Sequence, residues 1–346
     1  MGNGAGAMNF RSDNEAGVAP EIMAALVAAN QGSAASYGDD AITARLGKRL
    51  AEIFEHEVWV LPLISGTAAN ALALASLVPP WGQVYCHEEA HIAGHECGSL
   101  EFYSGGARIA GLPSPSGKIS AAQLAEVLPG GKGQVHAMQP SAVSLTQATE
   151  AGTVYGVEEV AAIGEVARGH GLALHMDGAR FANALVHLGV TPAEITWKAG
   201  VDALSFGATK NGAMGAEALI FFDAERAAQC TFRRMRAGHL MSKMRFLSAQ
   251  LEAYLADDLW LRNARHANAM AARLGQGLAE VPGVRLRNPV EANEVFAELP
   301  EAMIAGLQAK GFQFHRWDGP CVRLVMAFDT ASADVDAFID AARGLA

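Results

Sequence analysis

Short apolar segments alternate with helical segments along most of this chain, and this alternation is the strongest constraint on its fold. The pattern predicts strands at residues 58–64, 84–86, 135–138, 172–176, 201–206 and 218–222. It predicts helices at residues 20–29, 41–54, 67–77, 88–97 and 157–168. Strands that alternate with helices favour an α/β fold, in which helices cover both faces of a mainly parallel sheet.

The length and a change of pattern near residue 257 predict two domains. A chain of 346 residues is long enough for about two domains of ~150 residues each. From residue 257 the pattern becomes a long polar helix, followed by short strands at 294–298 and 322–326. We predict an N-terminal tail and segment at 1–19, a large domain at 20–256 and a small C-terminal α+β domain at 257–346.

Composition excludes several classes of partner. With 26 basic and 36 acidic residues, the formal net charge is −10, which argues against a nucleic-acid partner. No apolar stretch approaches the ~20 residues of a membrane span, and residues 1–7 lack the basic and apolar regions of a signal peptide. The four cysteines are scattered and form no Cys-x-x-Cys motif, so we expect a reducing, cytoplasmic location.

A lysine and an aspartate stand where two successive predicted strands end. Lys210 follows the run that ends in Ser205-Phe206-Gly207, and Asp177 closes an earlier run. A lysine that forms a Schiff base, with an acid that partners a pyridinium nitrogen, is the pair that pyridoxal phosphate (PLP) requires. The alternatives are a surface lysine and a helix-capping aspartate. We predict that the chain binds PLP.

A turn of small residues is a candidate phosphate site. Ser65-Gly66-Thr67-Ala68-Ala69-Asn70 lies where a predicted strand turns into a helix. Small residues let a phosphate approach the backbone, and the free N–H groups at a helix start bind anions. The same residues could simply cap the helix, but their combination with Lys210 and Asp177 favours phosphate binding.

Three histidines are spaced for one face of the helix predicted at 88–97. His87, His91 and His95 follow each other at intervals of four. They could bind zinc, but the outer two would be ~12 Å apart along the axis, too far to surround one ion, so we predict no metal. They could equally be solvated or core side chains. In a third interpretation, His91 stacks on the cofactor and His95, one turn on, faces the substrate.

Two arginines are candidates for holding an anionic substrate. Arg180 follows Asp177 by three residues and should lie near the same ligand, unless it forms a surface salt bridge. Arg323 interrupts an apolar strand, where it needs a partner. A substrate carboxylate bound by its planar fork would serve, and a structural ion pair is the competing interpretation.

Together these motifs resemble the threonine aldolase family of fold type I PLP enzymes. Order and spacing agree over nearly the whole chain, and the resemblance is greatest to bacterial low-specificity L-threonine and phenylserine aldolases. The matching segments are Phe10-Arg11-Ser12-Asp13, Tyr37-Gly38-Asp39-Asp40, Ser65-Gly66-Thr67-Ala68-Ala69-Asn70, Ala90-His91, His175-Met176-Asp177-Gly178-Ala179-Arg180, Thr209-Lys210 and Val322-Arg323-Leu324-Val325.

The resemblance implies a role for each cofactor residue. Lys210 would attach the cofactor, Asp177 would hold the pyridine nitrogen, and His91 would stack on the ring. Gly66 and Thr67 would bind the phosphate.

It also implies substrate and subunit contacts. Ser12, Arg180 and Arg323 would hold the substrate carboxylate. The family is typically a homotetramer, a dimer of dimers whose active sites lie at subunit interfaces. Arg234 matches a basic position that reaches into the neighbour's site.

The chain departs from the family in two places. Many members have Glu-Asn-Thr-His-Asn where this chain has Thr146-Gln147-Ala148-Thr149-Glu150, so Thr149 replaces the histidine near the substrate hydroxyl. The segment 237–243 is also altered, which leaves Lys243 as a guess for a phosphate-binding basic residue. We therefore expect His95 to take over part of this role by accepting the β-hydroxyl proton, since an imidazole suits proton transfer near neutrality. The alternative is that His95 only lines the pocket and that a water or the cofactor phosphate takes the proton, and His91 is the next candidate.

The resemblance implies cleavage of the Cα–Cβ bond of L-threonine, L-allo-threonine, phenylserine or similar β-hydroxy-α-amino acids, to glycine and an aldehyde. The nearest alternative is a β-eliminating lyase on the same fold. A dinucleotide-dependent dehydrogenase is remote, because no Gly-x-Gly-x-x-Gly follows the first strand.

Overall fold

The fold centres on a mainly parallel sheet with helices on both faces, in a computed structural model that describes residues 8–346. The prediction for the tail at 1–7 lies outside the described residues. The strands are β1 (Met8–Asn9), β2 (Trp59–Leu63), β3 (Gly82–His87), β4 (Arg108–Leu112), β5 (Gln139–Thr146), β6 (Ala173–Gly178), β7 (Ala203–Gly207), β8 (Glu217–Phe221), β9 (Arg285–Leu286), β10 (Glu294–Glu298), β11 (Phe312–Gln313), β12 (His315–Asp318) and β13 (Cys321–Val325).

Helices connect most of these strands. They are α1 (Pro20–Ala29), α2 (Ala41–Ile53), α3 (Gly66–Leu77), α4 (His91–Gly94), α5 (Ser99–Ser104), α6 (Ala121–Val127), α7 (Val157–Gly169), α8 (Phe181–Leu188), α9 (Pro192–Ile195), α10 (Ala224–Arg236), α11 (Arg245–Leu255), α12 (Leu259–Ala279), α13 (Glu301–Ala309) and α14 (Ser332–Arg343). Short 3₁₀ turns lie at Asp13–Glu15, Trp197–Ala199, Thr209–Asn211 and Ala256–Asp258. None of the helices between residues 8 and 346 is long and apolar enough to cross a membrane.

The large sheet has the strand order β2-β8-β7-β6-β5-β3-β4. Among these seven strands β8 is antiparallel to both of its neighbours, and β3 to β7 pair in parallel. Alternate residues of β7 enter different cores: Leu204 and Phe206 pack on one face, and Ala203 on the other. Burial on both faces explains why these strands are nearly continuous apolar runs, and the predicted α/β architecture is confirmed.

The C-terminal part of the chain forms a second sheet and a second core. Antiparallel strands in the order β12-β13-β10-β9 pack with α12, α13 and α14. Phe10 belongs to this second core, because β1 pairs in parallel with β11. The domain boundary at residue 257 remains a prediction.

Local sequence signals define several helix starts. Asp40 Oδ1 accepts hydrogen bonds from the N–H groups of Ile42 and Thr43, at 3.0 and 2.9 Å, at the start of α2. Ser65 Oγ accepts from Ala68 N, at 3.3 Å, at the start of α3. Side-chain oxygens of this kind satisfy N–H groups that have no partner within the helix. These predicted starts are confirmed.

Two local predictions are wrong. The segment 88–97 is not one helix, since only His91–Gly94 is helical and Cys97 and Gly98 take positive φ values of 53° and 72°. The strand predicted at 135–138 is instead part of a turn, in which Val135 is exposed, and the strand begins at Gln139. The edge strand β4 was not predicted.

The short α4 changes the geometry of the three histidines. His87 ends β3, His91 begins α4 and His95 follows its last residue. They therefore do not share one face of a long helix, although the His91 and His95 rings remain neighbours, with centroids 5.7 Å apart. Within residues 8–346, no group of three or more His, Cys, Asp or Glu side chains is arranged to hold a metal ion.

A neutral histidine is built into the centre of the large sheet. His175 on β6 is completely buried, and its ring nitrogens contact Ser144 Oγ at 2.9 Å and Ser205 Oγ at 3.0 Å. Burial lowers the pKa of His175 to about 4, although the nearby charge of Asp177 opposes this shift. The histidine links β5, β6 and β7 through two neutral hydrogen bonds.

We predict that His175 makes folding sensitive to acid. Between pH 6.5 and about 4, His175 binds a proton in the unfolded chain but not in the folded chain. The contribution of neutral His175 to stability is therefore complete above pH 6.5 and is lost as the pH falls. As the pH falls from 6.5 to 4, the free energy of unfolding of the parent should decrease by roughly 3 kcal/mol relative to that of His175→Gln. Denaturant titrations of both proteins at several pH values measure this difference, and a constant difference would contradict the prediction.

Candidate active site

The candidate site lies at one edge of the large sheet, where the carboxyl ends of its parallel strands meet. Asp177 lies near the end of β6, and Lys210 follows β7, which pairs with β6 in the register Asp177↔Ser205. His91 comes shortly after β3, and Glu150 comes after β5. This edge is where open α/β sheets bind ligands.

A cavity of about 230 Å³ opens at this edge and is lined by five of the six residues predicted to contact the cofactor, while the sixth, Arg180, lies outside its lining. Its volume suits a small molecule. Lys210 lines the cavity, and its charge acts on the buried carboxyl groups of Asp13 and Glu217. The residues that line the cavity are Asn14, Ile64, Ser65, Gly66, Thr67, Asn70, His91, Glu150, Asp177, Ala179, Thr209, Lys210 and Glu217.

The Asp177 carboxylate is buried and fixed by two hydrogen bonds. Oδ2 accepts from Asn70 Nδ2 at 2.8 Å, and Oδ1 accepts from the N–H of Ala179 at 3.0 Å. A carboxylate has about four acceptor positions, so Asp177 can still accept from a ring N–H. The cavity is therefore suited to a heterocycle with a protonated nitrogen.

The start of α3 supplies the other requirement of PLP, an anion site. Ser65 caps the helix, and the first N–H groups, those of Gly66 and Thr67, have no acceptor in the described part of the chain. Unpaired N–H groups at the positive end of a helix attract phosphate. A lysine amine, a buried carboxylate and this helix start therefore fit PLP.

His91 lines the cavity in contact with a second buried acid. Its Nδ1 lies 2.8 Å from Oε1 of Glu96, whose side chain is buried. The hydrogen bond to Glu96 raises the pKa of His91 and burial opposes this shift, while the charges of Asp177 and Glu150 reinforce it. His91 is thus held in place and is favoured in its charged form.

Thr149, which stands where many family members have a histidine, and His95, the residue predicted to take over its role, both lie outside the cavity lining. Thr149 is buried, and its Oγ1 lies 2.7 Å from Oγ1 of Thr153. His95 is exposed beside His91. The next residue after Thr149, Glu150, lines the cavity instead.

Arg180 forms the centre of a buried group of charges. Its Nε and one terminal nitrogen donate to the two oxygens of Asp13 at 2.8 and 3.0 Å, and the other terminal nitrogen lies 3.3 Å from Glu294 Oε2. Asn293 also donates to Asp13, at 3.0 Å. Burial alone would oppose the charge on Asp13, but Arg180 holds its pKa below the usual value. Arg180 is therefore not a surface ion pair.

Arg323 lies beside the N-terminal segment. One of its terminal nitrogens contacts the carbonyl oxygen of Arg11 at 3.4 Å, next to Ser12, and its guanidinium lies 5.2 Å from the Trp317 ring centroid. Its buried Nε has no hydrogen-bond partner, and it forms no salt bridge to any described residue. The charge of Arg323 nevertheless acts on the buried carboxyl group of Glu294, so the substrate contact and the structural ion pair both stay predictions.

Ser12 and Arg234 complete the predicted set. Ser12 Oγ accepts from Asn14 N at 3.2 Å and caps the turn at Asp13–Glu15. Arg234 on α10 is buried, with one nitrogen 3.5 Å from the carbonyl oxygen of Pro62 and with Nε unpartnered. Burial lowers the pKa of Arg234, and it has no acidic partner within residues 8–346. Neither residue lines the cavity.

Four polar residues of this site carry no signal in the sequence. Asn14, Glu96, Glu150 and Glu217 come together only through the fold. Glu217, the first residue of β8, accepts from the N–H of Ala208 at 3.2 Å, and burial raises its pKa to about 7. Acids are common in sequence, and their burial beside a lysine or a histidine has no local signal.

Comparison with known proteins places the chain in one family. The sequence model of the family described as beta-eliminating lyase matches residues 9–302. Low-specificity L-threonine aldolases from a Pseudomonas species and from Pseudomonas aeruginosa are each 45% identical, over 94% and 93% of this chain and equal shares of the relatives. The solved structure of Leishmania major threonine aldolase has a TM-score of 0.91 and 30% identity, and covers 97% of this chain and 99% of that one.

Fold and site together define a PLP-dependent enzyme of fold type I. The chain belongs to the beta-eliminating lyase family, and its relatives named above are carbon–carbon lyases. The resemblance to threonine aldolases, the enzyme class and the PLP dependence predicted from the sequence are confirmed.

We predict that the pair of Asp13 and Arg180 stabilises the fold strongly. Asp13→Asn removes the carboxylate that makes the two shortest contacts with the buried Arg180 guanidinium and leaves only the 3.3 Å contact with Glu294. Breaking a buried pair on one side costs about 3–5 kcal/mol. Denaturant unfolding of the variant measures this loss. Glu15→Gln is the matched control, because Glu15 in the same turn pairs with Arg11 at the surface, where such pairs contribute about 0–1 kcal/mol. Equal losses in the two variants would contradict the prediction.

Proposed function

We propose that this enzyme cleaves the Cα–Cβ bond of L-threonine, L-allo-threonine and similar β-hydroxy-α-amino acids, including phenylserine, to give glycine and an aldehyde. The observation that carries this proposal is the cavity shared by Lys210 and Asp177 at the carboxyl edge of the sheet. The 45% identity to low-specificity L-threonine aldolases supports this substrate class.

Six residues are proposed to contact the cofactor: Arg180, and five that line the cavity. Lys210 Nζ attaches it, Asp177 accepts a hydrogen bond from its ring nitrogen and His91 packs against its ring. Gly66 and Thr67 bind its phosphate at the start of α3. When bound, PLP supplies an electron sink for the pair released at Cα.

Three residues are proposed to orient the substrate carboxylate. Arg323 is the principal one, because its Nε is unpartnered and a planar guanidinium matches a carboxylate. Ser12 lies next to the carbonyl that Arg323 contacts. Arg180 stays a predicted contact with cofactor and substrate, although Asp13 and Glu294 already engage its guanidinium.

The proton of the β-hydroxyl group is proposed to pass to His95, directly or through one water. His95 neighbours His91. Thr149, which stands in the place of the family histidine, stays a predicted substrate contact, although it is buried against Thr153. Glu150 is the second candidate, because its side chain lines the cavity.

The subunit arrangement proposed is a homotetramer, a dimer of dimers, in the cytoplasm. Phe102 and Phe232 are 79% and 80% exposed and line a common groove between α5 and α10. An exposed apolar patch of this kind is typical of a protein interface. Arg234, on the same helix as Phe232, lacks an acidic partner in the described chain, which supports the proposal that it serves a neighbouring site.

The family description keeps one alternative open for testing. A β-eliminating lyase on the same fold would release pyruvate and ammonia from a β-substituted amino acid. The purified enzyme should instead give glycine and acetaldehyde from L-threonine. β-Elimination of water from L-threonine would give 2-oxobutanoate and ammonia, and these products without glycine would overturn the proposed aldolase activity.

We predict that Lys210→Ala abolishes covalent attachment of the cofactor and nearly all turnover. Borohydride should fix PLP to the parent, which mass spectrometry detects, and should not fix it to the variant. Lys198→Ala is a suitable control, because Lys198 lies outside the cavity lining and pairs with Glu55 at the surface, so the attachment should survive. A cofactor adduct in Lys210→Ala would contradict the assignment.

A pair of variants distinguishes the two candidate bases. Removing the β-hydroxyl proton is needed for cleavage of threonine and not for exchange of the α-protons of glycine. His95→Phe should therefore slow threonine cleavage by about 10²–10⁴-fold and leave glycine exchange in D₂O nearly unchanged. The same selective loss in Glu150→Gln, with normal cleavage by His95→Phe, would assign the base to Glu150.

A further inference from the structure

A chain of hydrogen bonds runs behind the candidate site, from Asp177 to His91. Asn70 Nδ2 donates to Asp177 Oδ2 and to Glu96 Oε1, each at 2.8 Å. Glu96 Oε1 also lies 2.8 Å from His91 Nδ1. Asp177, Asn70 and the Glu96 side chain are all buried. Two residues that line the cavity from different elements are thus joined through a glutamate behind it.

The chemistry of these groups fixes the direction of every bond. An amide nitrogen has two hydrogens and cannot accept, so Asn70 donates one to each carboxylate. An ionised carboxylate can only accept, so the hydrogen at the contact with Glu96 lies on His91 Nδ1. Ser99 Oγ donates to the other oxygen, Glu96 Oε2, at 3.2 Å. The Glu96 side chain is therefore held by three donors.

We propose that Glu96 is a positioning residue for the reaction, because it holds the His91 ring by Nδ1–H and leaves Nε2 free, and because it fixes Asp177 through Asn70. The proposal rests on the proposed function, in which His91 packs against the cofactor ring and Asp177 holds its nitrogen. A histidine that ligates or contacts a reacting group is commonly fixed by a carboxylate on its other nitrogen.

The electrostatic surroundings of His91 single out Glu96. The acids that act on the imidazole are Glu96, Asp177 and Glu150, and they come from three different parts of the chain. Lys210 lines the same cavity, and the His95 ring is 5.7 Å away. Of these groups, Glu96 makes the direct hydrogen bond, and this bond has the largest effect in raising the pKa of His91. Loss of the Glu96 charge should therefore be felt most strongly at His91.

The proposal can be tested by ¹⁵N NMR of the holoenzyme labelled at histidine, with the His91 signal assigned by its absence in His91→Asn. In the parent, the neutral form of His91 should carry its proton on Nδ1. Neutral His91 protonated on Nε2 would overturn the proposal, and this measurement needs no variant of Glu96.

Glu96→Gln keeps the shape of the side chain and removes its charge. It should lower the titration midpoint of His91 by about 1–3 pH units, as expected for a lost charge at this range. Ser99→Ala is the matched control, because it removes a hydrogen bond from the same carboxyl group and keeps its charge, so the midpoint should not move. A folded Glu96→Gln protein with an unchanged midpoint would overturn the proposal and leave Glu96 a purely structural residue.

These readouts are independent of substrate. If the proposed aldolase activity fails, glycine and aldehyde will be absent from the parent reaction, while the tautomer and midpoint of His91 still decide the role of Glu96.

Discussion

Parallel pairing of β6 with β7 is the constraint on which the rest of the site depends. The register places Asp177 opposite Ser205, so the turn after β7 brings Lys210 to the edge where the Asp177 carboxylate lies. A shift of one residue in the pairing of β6 would turn Asp177 to the other face of the sheet. The hydrogen bonds of His175 to Ser144 and Ser205 span the three strands just below this edge. These bonds link β5, β6 and β7 two residues before Asp177, and they therefore help to keep the register that brings Asp177 and Lys210 together.

Periodicity and turn chemistry were sufficient to predict most of the large sheet. Runs buried on both faces are easily recognised, and Asp40 and Ser65 mark helix starts through bonds to their own neighbours. The prediction failed at residues 88–97, where the composition suits a helix but Cys97 and Gly98 adopt left-handed conformations. Such conformations depend on tertiary contacts, which a local pattern does not contain.

Some residues of the site could likewise be predicted from the sequence, and others could not. Lys210 and Asp177 could be found from the sequence because each follows an apolar strand and because the cofactor needs both. Glu96 and Glu150 could not, since their importance comes from contacts with residues distant in sequence. The replacement at Thr149 was visible in the sequence. That the next side chain, Glu150, faces the cavity was evident only in the structure.

The N-terminal segment has a further consequence for how the molecule is made. Phe10 packs in the second core, β1 pairs with β11, and the carbonyl oxygen of Arg11 meets Arg323. During synthesis these residues leave the ribosome well before the partners they contact, which lie about 300 residues later in the chain. The nascent chain can build the large sheet while this segment still lacks a place to bind. The contact between Arg11 and Arg323 can therefore form only after β13 has emerged, later than the strands of the large sheet.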